Sequence, residues 1–190
     1  AYSFAIQLIS TVLARFSRDL GIDIVGTTLM WSVIFLVALF LRPLAGYLAD
    51  RTSSFLTMLL GGIFVTIASV AYTKAGSFTD LVMGRVIQGI GSALFISPSM
   101  VAVAMAADGY AGIALGIRSM LIAIAGLIAP PIAGFIADAF GYEYVFSISV
   151  LVALVIVLLN GWVVRSSTII IHKPIEKGGW REAINPVIMI

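Results

Sequence analysis

Arg85 is the side chain whose position most demands an explanation. It follows Asp80 by five residues, about 7.5 Å along a helix, in the outer half of an otherwise apolar run from Leu81 to Ala107. A guanidinium at such a place is costly unless it is paired or wetted. Two chemistries would use it: lowering the pKa of a proton-carrying carboxylate, or holding a group of a substrate. The plainer alternative is snorkelling to the outer interface or to Asp80. Gln7, Gln88 and Asn160 are the neutral polar side chains within apolar runs that could face a cavity with it. Arg118 lies near enough to an inner end to snorkel.

Other chemistries are thin. The chain has no cysteine and one histidine, His172, which removes thiolate metal sites, iron–sulfur clusters, disulfides and poly-histidine centres. No nucleophile–base pair is visible, so an enzyme is not expected, nor a metal, a cofactor or a nucleic-acid partner. No acidic residue lies deep in a run. Asp19, Asp23, Asp80, Asp138 and Glu143 fall at outer ends, and Asp50 and Asp108 at inner ones. A proton carrier, if one is needed, lies near a helix end or outside this stretch of chain.

The elements that position these residues follow from composition. Of 190 residues, 61% are hydrophobic and 11% charged, far from the quarter charged of an average soluble domain. The chain is an integral membrane protein. Its apolar runs are Ala1 to Leu13, Val25 to Leu48, Phe55 to Tyr72, Leu81 to Ala107, Ile113 to Ala137 and Tyr144 to Val164. They do not alternate as barrel strands would, so they predict six transmembrane helices in an all-α membrane protein. Short connections make consecutive helices antiparallel, and Thr52, Ser53 and Ser54 can cap the helix beginning at Phe55. The first run is too short to span and lacks the basic start of a signal peptide. Another apolar run opens at Pro186. The expected organisation is a six-helix bundle over 1–164 with a truncated first helix. Residues 165–190 then form a cytoplasmic linker, with Trp180 at the interface, and the start of a seventh helix. Arg42, Arg51, Arg165, Lys173, Lys177 and Arg181 collect on one side, against Arg15, Arg18 and Lys74 on the other. That bias places both ends in the cytoplasm of a multi-pass protein of the plasma (inner) membrane.

Residues 42–50 read RPLAGYLAD and residues 130–138 read PPIAGFIAD. The offset spans three helices, an odd number, so the copies end on opposite faces of the bilayer, Asp50 inside and Asp138 outside. Inverted repeats of this kind build many secondary transporters; the alternative is coincidence among small apolar residues.

Three motifs resemble those of the major facilitator superfamily. Gly46, Leu48, Ala49, Asp50 and Arg51 match its loop signature G-x-L-A-D-R-x-G-R-(R/K), although Ser53, Ser54 and Phe55 replace the later Gly and basic positions. Arg85, Gln88, Gly89 and Gly91 match the fourth-helix pattern R-x-x-Q-G-x-G. Gly126, Pro131 and Gly134 match the fifth-helix pattern G-x-x-x-G-P-x-x-G, with Pro130 in place of a Gly. The resemblance implies an amino-terminal six-helix half-bundle made of two inverted three-helix repeats. It further implies a secondary active transporter that moves a small organic solute by alternating access against a second six-helix half, with proton-coupled efflux favoured. Gly46, Asp50 and Arg51 would form a gating loop that stabilises the outward-open state, and Gln7 would line the central path with Arg85. A facilitative or uptake transporter of the same fold, or a non-transporting membrane scaffold or receptor, are the rivals.

Pro130 and Pro131 are expected to bend or break their helix, with Gly126 and Gly134 flanking the bend and allowing close helix approach. Gly112 and Gly116 form a G-x-x-x-G pair suited to a tight crossing. Trp31, Phe35 and Phe40 are expected to face lipid or pack.

Overall fold

Each apolar run forms a helix, and three of the six start on a side chain that caps a free backbone amide. A computed structural model describes residues 2–107 and 109–166. Its helices are α1 (Tyr2–Asp19), α2 (Ile24–Arg51), α3 (Ser54–Thr73), α4 (Phe78–Ala106), α5 (Ala111–Phe140) and α6 (Tyr142–Ser166), with no strand among the described residues. Five of them, α2 to α6, are long and apolar enough to cross a membrane. The expected linker and seventh helix, with His172 and Trp180, lie outside the described residues.

The caps explain where the helices start. Asp23 Oδ1 accepts from the Gly26 amide at 2.8 Å, and Ser53 Oγ accepts from Leu56 at 3.0 Å, so Ser53 is the cap and the helix begins at Ser54. Ser77 and Asp80 form a reciprocal capping box at the head of α4. The Asp80 carboxylate accepts from the Ser77 hydroxyl at 2.8 Å and from the Gly76 amide at 3.1 Å. Asp80 is thereby committed to the helix end, not to Arg85. One expected loop is shorter than its sequence suggests: α2 continues through Gly46, Asp50 and Arg51, and the connection to α3 is Thr52 and Ser53 alone.

The packing has the symmetry of the repeat. α1 packs on α5 and α6, while α4 packs on α2 and α3. Exchanging α1 with α4, α2 with α5 and α3 with α6 carries one set of contacts into the other, as an inverted three-helix repeat requires. The ends agree. Arg15, near the end of α1, pairs with Asp138, near the end of α5. Ser17 meets Thr27 at 3.0 Å, which brings the start of α2 to that same end. Asp50 lies 26 residues beyond Ile24, about 39 Å further along α2. Asp50 and Asp138 therefore occupy opposite ends of the bundle.

One apolar cluster, including Leu8, Leu13, Met30, Tyr72, Leu81, Ala133 and Phe146, draws on all six helices. The closest seam lies between α3 and α4. A β-carbon placed on Gly61 would sit 2.9 Å from the Gly91 carbonyl oxygen, and one on Gly91 would sit 2.9 Å from the Gly61 oxygen and 3.0 Å from the Val65 nitrogen. Nothing lies within 4 Å of a β-carbon at Gly112, Gly116 or Gly134, so among the described residues none of these α5 glycines makes a close approach to another helix.

The seam gives a direct test. Gly91→Val should cost about 1–3 kcal/mol through overpacking against backbone that cannot yield, seen as a lower melting temperature of the full-length protein in detergent.

Candidate functional site

The three-residue spacing of Arg85 and Gln88 places both on one face of α4, and that face is turned into the bundle, where both side chains are fully buried. Arg85 Nη1 donates to Gln88 Oε1 at 2.8 Å and to Ser10 Oγ of α1 at 3.4 Å. Tyr72 of α3 donates its hydroxyl to the same Gln88 oxygen at 3.1 Å. The Trp31 ring of α2 lies over the guanidinium, with the central carbon 4.6 Å from its centroid. Four helices thus contribute to holding one cation. Its Nε and Nη2, and Gln88 Nε2, are buried with no hydrogen-bond partner. Snorkelling is not what Arg85 does: it has no exposure, and Asp80 is engaged elsewhere.

Two cavities open on this side of the bundle. A cavity of about 290 Å³ is lined by Gln7, Ser10, Trp31, Phe35, Arg42 and Arg85, among others. A second, of about 570 Å³, is lined by Arg118, Asn160, Ser99, Ile117 and Leu121, among others. Tyr2 and Ser3 border both. The Tyr2 ring stacks on Phe95 with centroids 3.9 Å apart, and its hydroxyl donates to Ser92 at 3.0 Å. Among the described residues, no Asp or Glu lines either cavity.

The structure brings together Arg85, Gln88 and, along the same cavity, Gln7, whose amide nitrogen would lie 3.4 Å from a β-carbon at Gly126. Asn160 is elsewhere, beside the second cavity, donating to the Ile156 carbonyl of its own helix at 2.9 Å. Asp50 and Arg51 are exposed in the last turn of α2 and line neither cavity, and Arg51 rests on the Tyr47 ring at 4.8 Å. The helix α5 runs unbroken through Pro130 and Pro131, which removes the broken-helix form of the expectation.

Two functional candidates escaped the sequence. Trp31 was expected to face lipid or pack; it covers Arg85 and lines a cavity. Arg118 was expected to snorkel; its Nη2 instead donates to Ser99 Oγ at 2.8 Å, and Ser99 donates to the Ile96 carbonyl at 2.7 Å, beside the buried Pro98. Each arginine lies seven residues into its helix, about 10 Å from the start. Because α4 and α5 start at opposite ends, the two charges enter from opposite sides. The end of the bundle opposite Asp50 carries a separate polar cluster, in which Arg15 pairs with Asp138 and Tyr142 donates to Asp19.

The fold and buried-arginine site define a polytopic helical half-bundle, and comparison with known proteins gives its family. The model of the Major Facilitator Superfamily matches residues 1–189, and the chain belongs to that superfamily of multi-pass integral membrane proteins. It is 26% identical over 152 residues to the multidrug transporter protein MdtP of Bacillus subtilis (strain 168), covering 80% of this chain and 28% of that protein. It is 30% identical over 145 residues to the multidrug export protein EmrB of Haemophilus influenzae, covering 72% and 27%. Against the methylenomycin A resistance protein of Streptomyces coelicolor the identity is 33% over 131 residues, covering 66% and 27%. The chain spans less than a third of the length of each of these relatives.

Gln88 should prove structurally expensive to lose. Gln88→Leu removes the oxygen shared by Arg85 and Tyr72 and should cost about 2–3 kcal/mol, the scale of a hydrogen bond to a buried charge. Gln88→Glu keeps the acceptor and should stay near the wild-type melting temperature in detergent.

Proposed function

We propose that the full-length protein containing this chain is a secondary active transporter that exports a small organic solute in exchange for protons. The observation that carries this is a fully buried guanidinium with two unpartnered nitrogens, beside cavities, in a bundle of inverted repeats. A merely structural bundle gains nothing from such a group, because a buried charge costs several kcal/mol and an apolar side chain would pack there at no such cost. Relatives named as multidrug transporter and export proteins support the direction.

In this mechanism the six helices move as one block against a second six-helix half and open the cavities alternately to each side. Arg85 and Gln88 sit where cargo or a proton-carrying carboxylate passes, with Gln7 beside them. Gly46, Asp50 and Arg51 form a gate at the inner end of α2, making contacts to the second half in one state that part in the other. Gly126, Pro130, Pro131 and Gly134 give α5 its flexibility: two successive prolines remove two backbone donors from the helix ladder. Arg42, Arg51 and Arg165 at one end of the helices, against Arg15, Arg18 and Lys74 at the other, favour an inner membrane with that first end cytoplasmic.

In proteoliposomes, a solute to which the expressed protein confers resistance should move against an imposed pH gradient, with protons crossing the other way. Arg85→Ala should bring this gradient-driven flux to background. Full flux in that variant would remove Arg85 from its role, and flux indifferent to collapse of the gradient would replace the exchanger with a facilitator.

A further inference from the structure

We infer that Arg85, covered by Trp31, is a binding site for the carboxylate of an organic anion with an apolar body. That this anion is cargo rests on the transporter reading above; the site itself does not. The first argument is charge. Among the described residues, Arg42, Arg85 and Arg118 border the two cavities and no acidic residue does, so a cationic ligand would meet like charges in a medium that screens them poorly.

The second argument is hydrogen-bonding capacity. A guanidinium has five N–H donors in a rigid fork. Arg85 spends only Nη1, on Gln88 and Ser10, and leaves Nε and Nη2 buried and empty. Nε and Nη2 share one edge of the fork, and that edge matches the two oxygens of a carboxylate. Among the described residues, the neighbours that could satisfy it are already committed: Asp80 caps α4, and the Gln88 oxygen is taken by Nη1 and Tyr72.

The third argument is the cover. The Trp31 face supplies the negative potential that a missing anion otherwise would, yet it is only half-buried and faces the cavity. It is therefore a replaceable partner. An arriving carboxylate takes the Nε–Nη2 edge as the indole swings aside, and Ile6, Ile34, Phe35 and Ile96 around the same cavity receive the apolar body.

The indole makes the site observable. In the full-length protein with Trp162, Trp180 and every other tryptophan except Trp31 replaced by Phe, benzoate should change Trp31 fluorescence saturably at constant ionic strength. Benzyl alcohol and benzylammonium, with the same ring, should not. Arg85→Gln should weaken benzoate about tenfold or more, the worth of one charge-assisted pair. Arg85→Lys, which keeps the charge but loses the fork, should weaken it less. If the Arg85 variants fail to fold, Trp31→Phe serves instead: radiolabelled benzoate should still bind it in equilibrium dialysis. No saturable response to benzoate, as when an acidic side chain from the rest of the protein already fills the edge, overturns the inference. So does an equal response to benzylammonium, a response that survives Arg85→Gln, or loss of binding in Trp31→Phe. Benzoate binding without gradient-driven flux would sink the transporter reading alone, and flux without benzoate binding would sink this one alone.

Discussion

A guanidinium withdrawn from water must have its charge answered locally, and that constraint organises the centre of this bundle. Arg85 has no carboxylate beside it. Its charge is spread instead over a carboxamide oxygen from its own helix, a hydroxyl from α1 and the face of an indole from α2, while α3 fixes the carboxamide through Tyr72. Each of these partners is neutral, and each is weaker than an ion pair. The site is held tightly enough to be ordered but remains under-satisfied, the condition in which a buried polar group retains the strongest appetite for a further partner.

The surrounding helices make that condition possible. The glycines of α4 let α3 and α2 approach to backbone distance, as at Gly91 and at Gly89, where a β-carbon would lie 2.9 Å from Val37. This closeness brings Tyr72 and Trp31 within reach of Arg85. Gly84 works the same way, since a β-carbon there would sit 2.5 Å from the Tyr72 ring. Small residues thus set the position of large ones, a logic suited to lipid, where packing rather than water exclusion drives helix association.

Much of this was legible in the sequence because it depends on pattern alone. Six helices follow from run length, and the opposed ends of Asp50 and Asp138 follow from an odd number of helices between two copies of one nonapeptide. Arg85 and Gln88 stand out because polar side chains are conspicuous in apolar runs. What could not be read is orientation around the helix axis. Trp31 lies in a run that carries no charge from Ile24 to Leu41, so nothing distinguishes the face toward Arg85 from the face toward lipid. Arg118 is near enough to a helix end to reach water, and only the placement of Ser99 on the neighbouring helix decides otherwise. Gly112 and Gly116 have the spacing of a crossing, but spacing cannot say whether a helix is there to be crossed. The extent of α2 was also hidden, because the polar residues Asp50 and Arg51 look like loop and prove to be a last helical turn.

The glycine seam between α3 and α4 has a mechanical corollary. Side chains that interdigitate can trade rotamers and let two helices creep past each other; peptide groups in direct contact have no such slack. The pair α3–α4 therefore behaves as a single stiff beam, and any torque on one member is delivered undiminished to the other. Ser10, on α1, lies outside that beam, whereas Arg85, Gln88 and Tyr72 ride on it. A small rotation of α1 relative to the beam would consequently register first at the guanidinium.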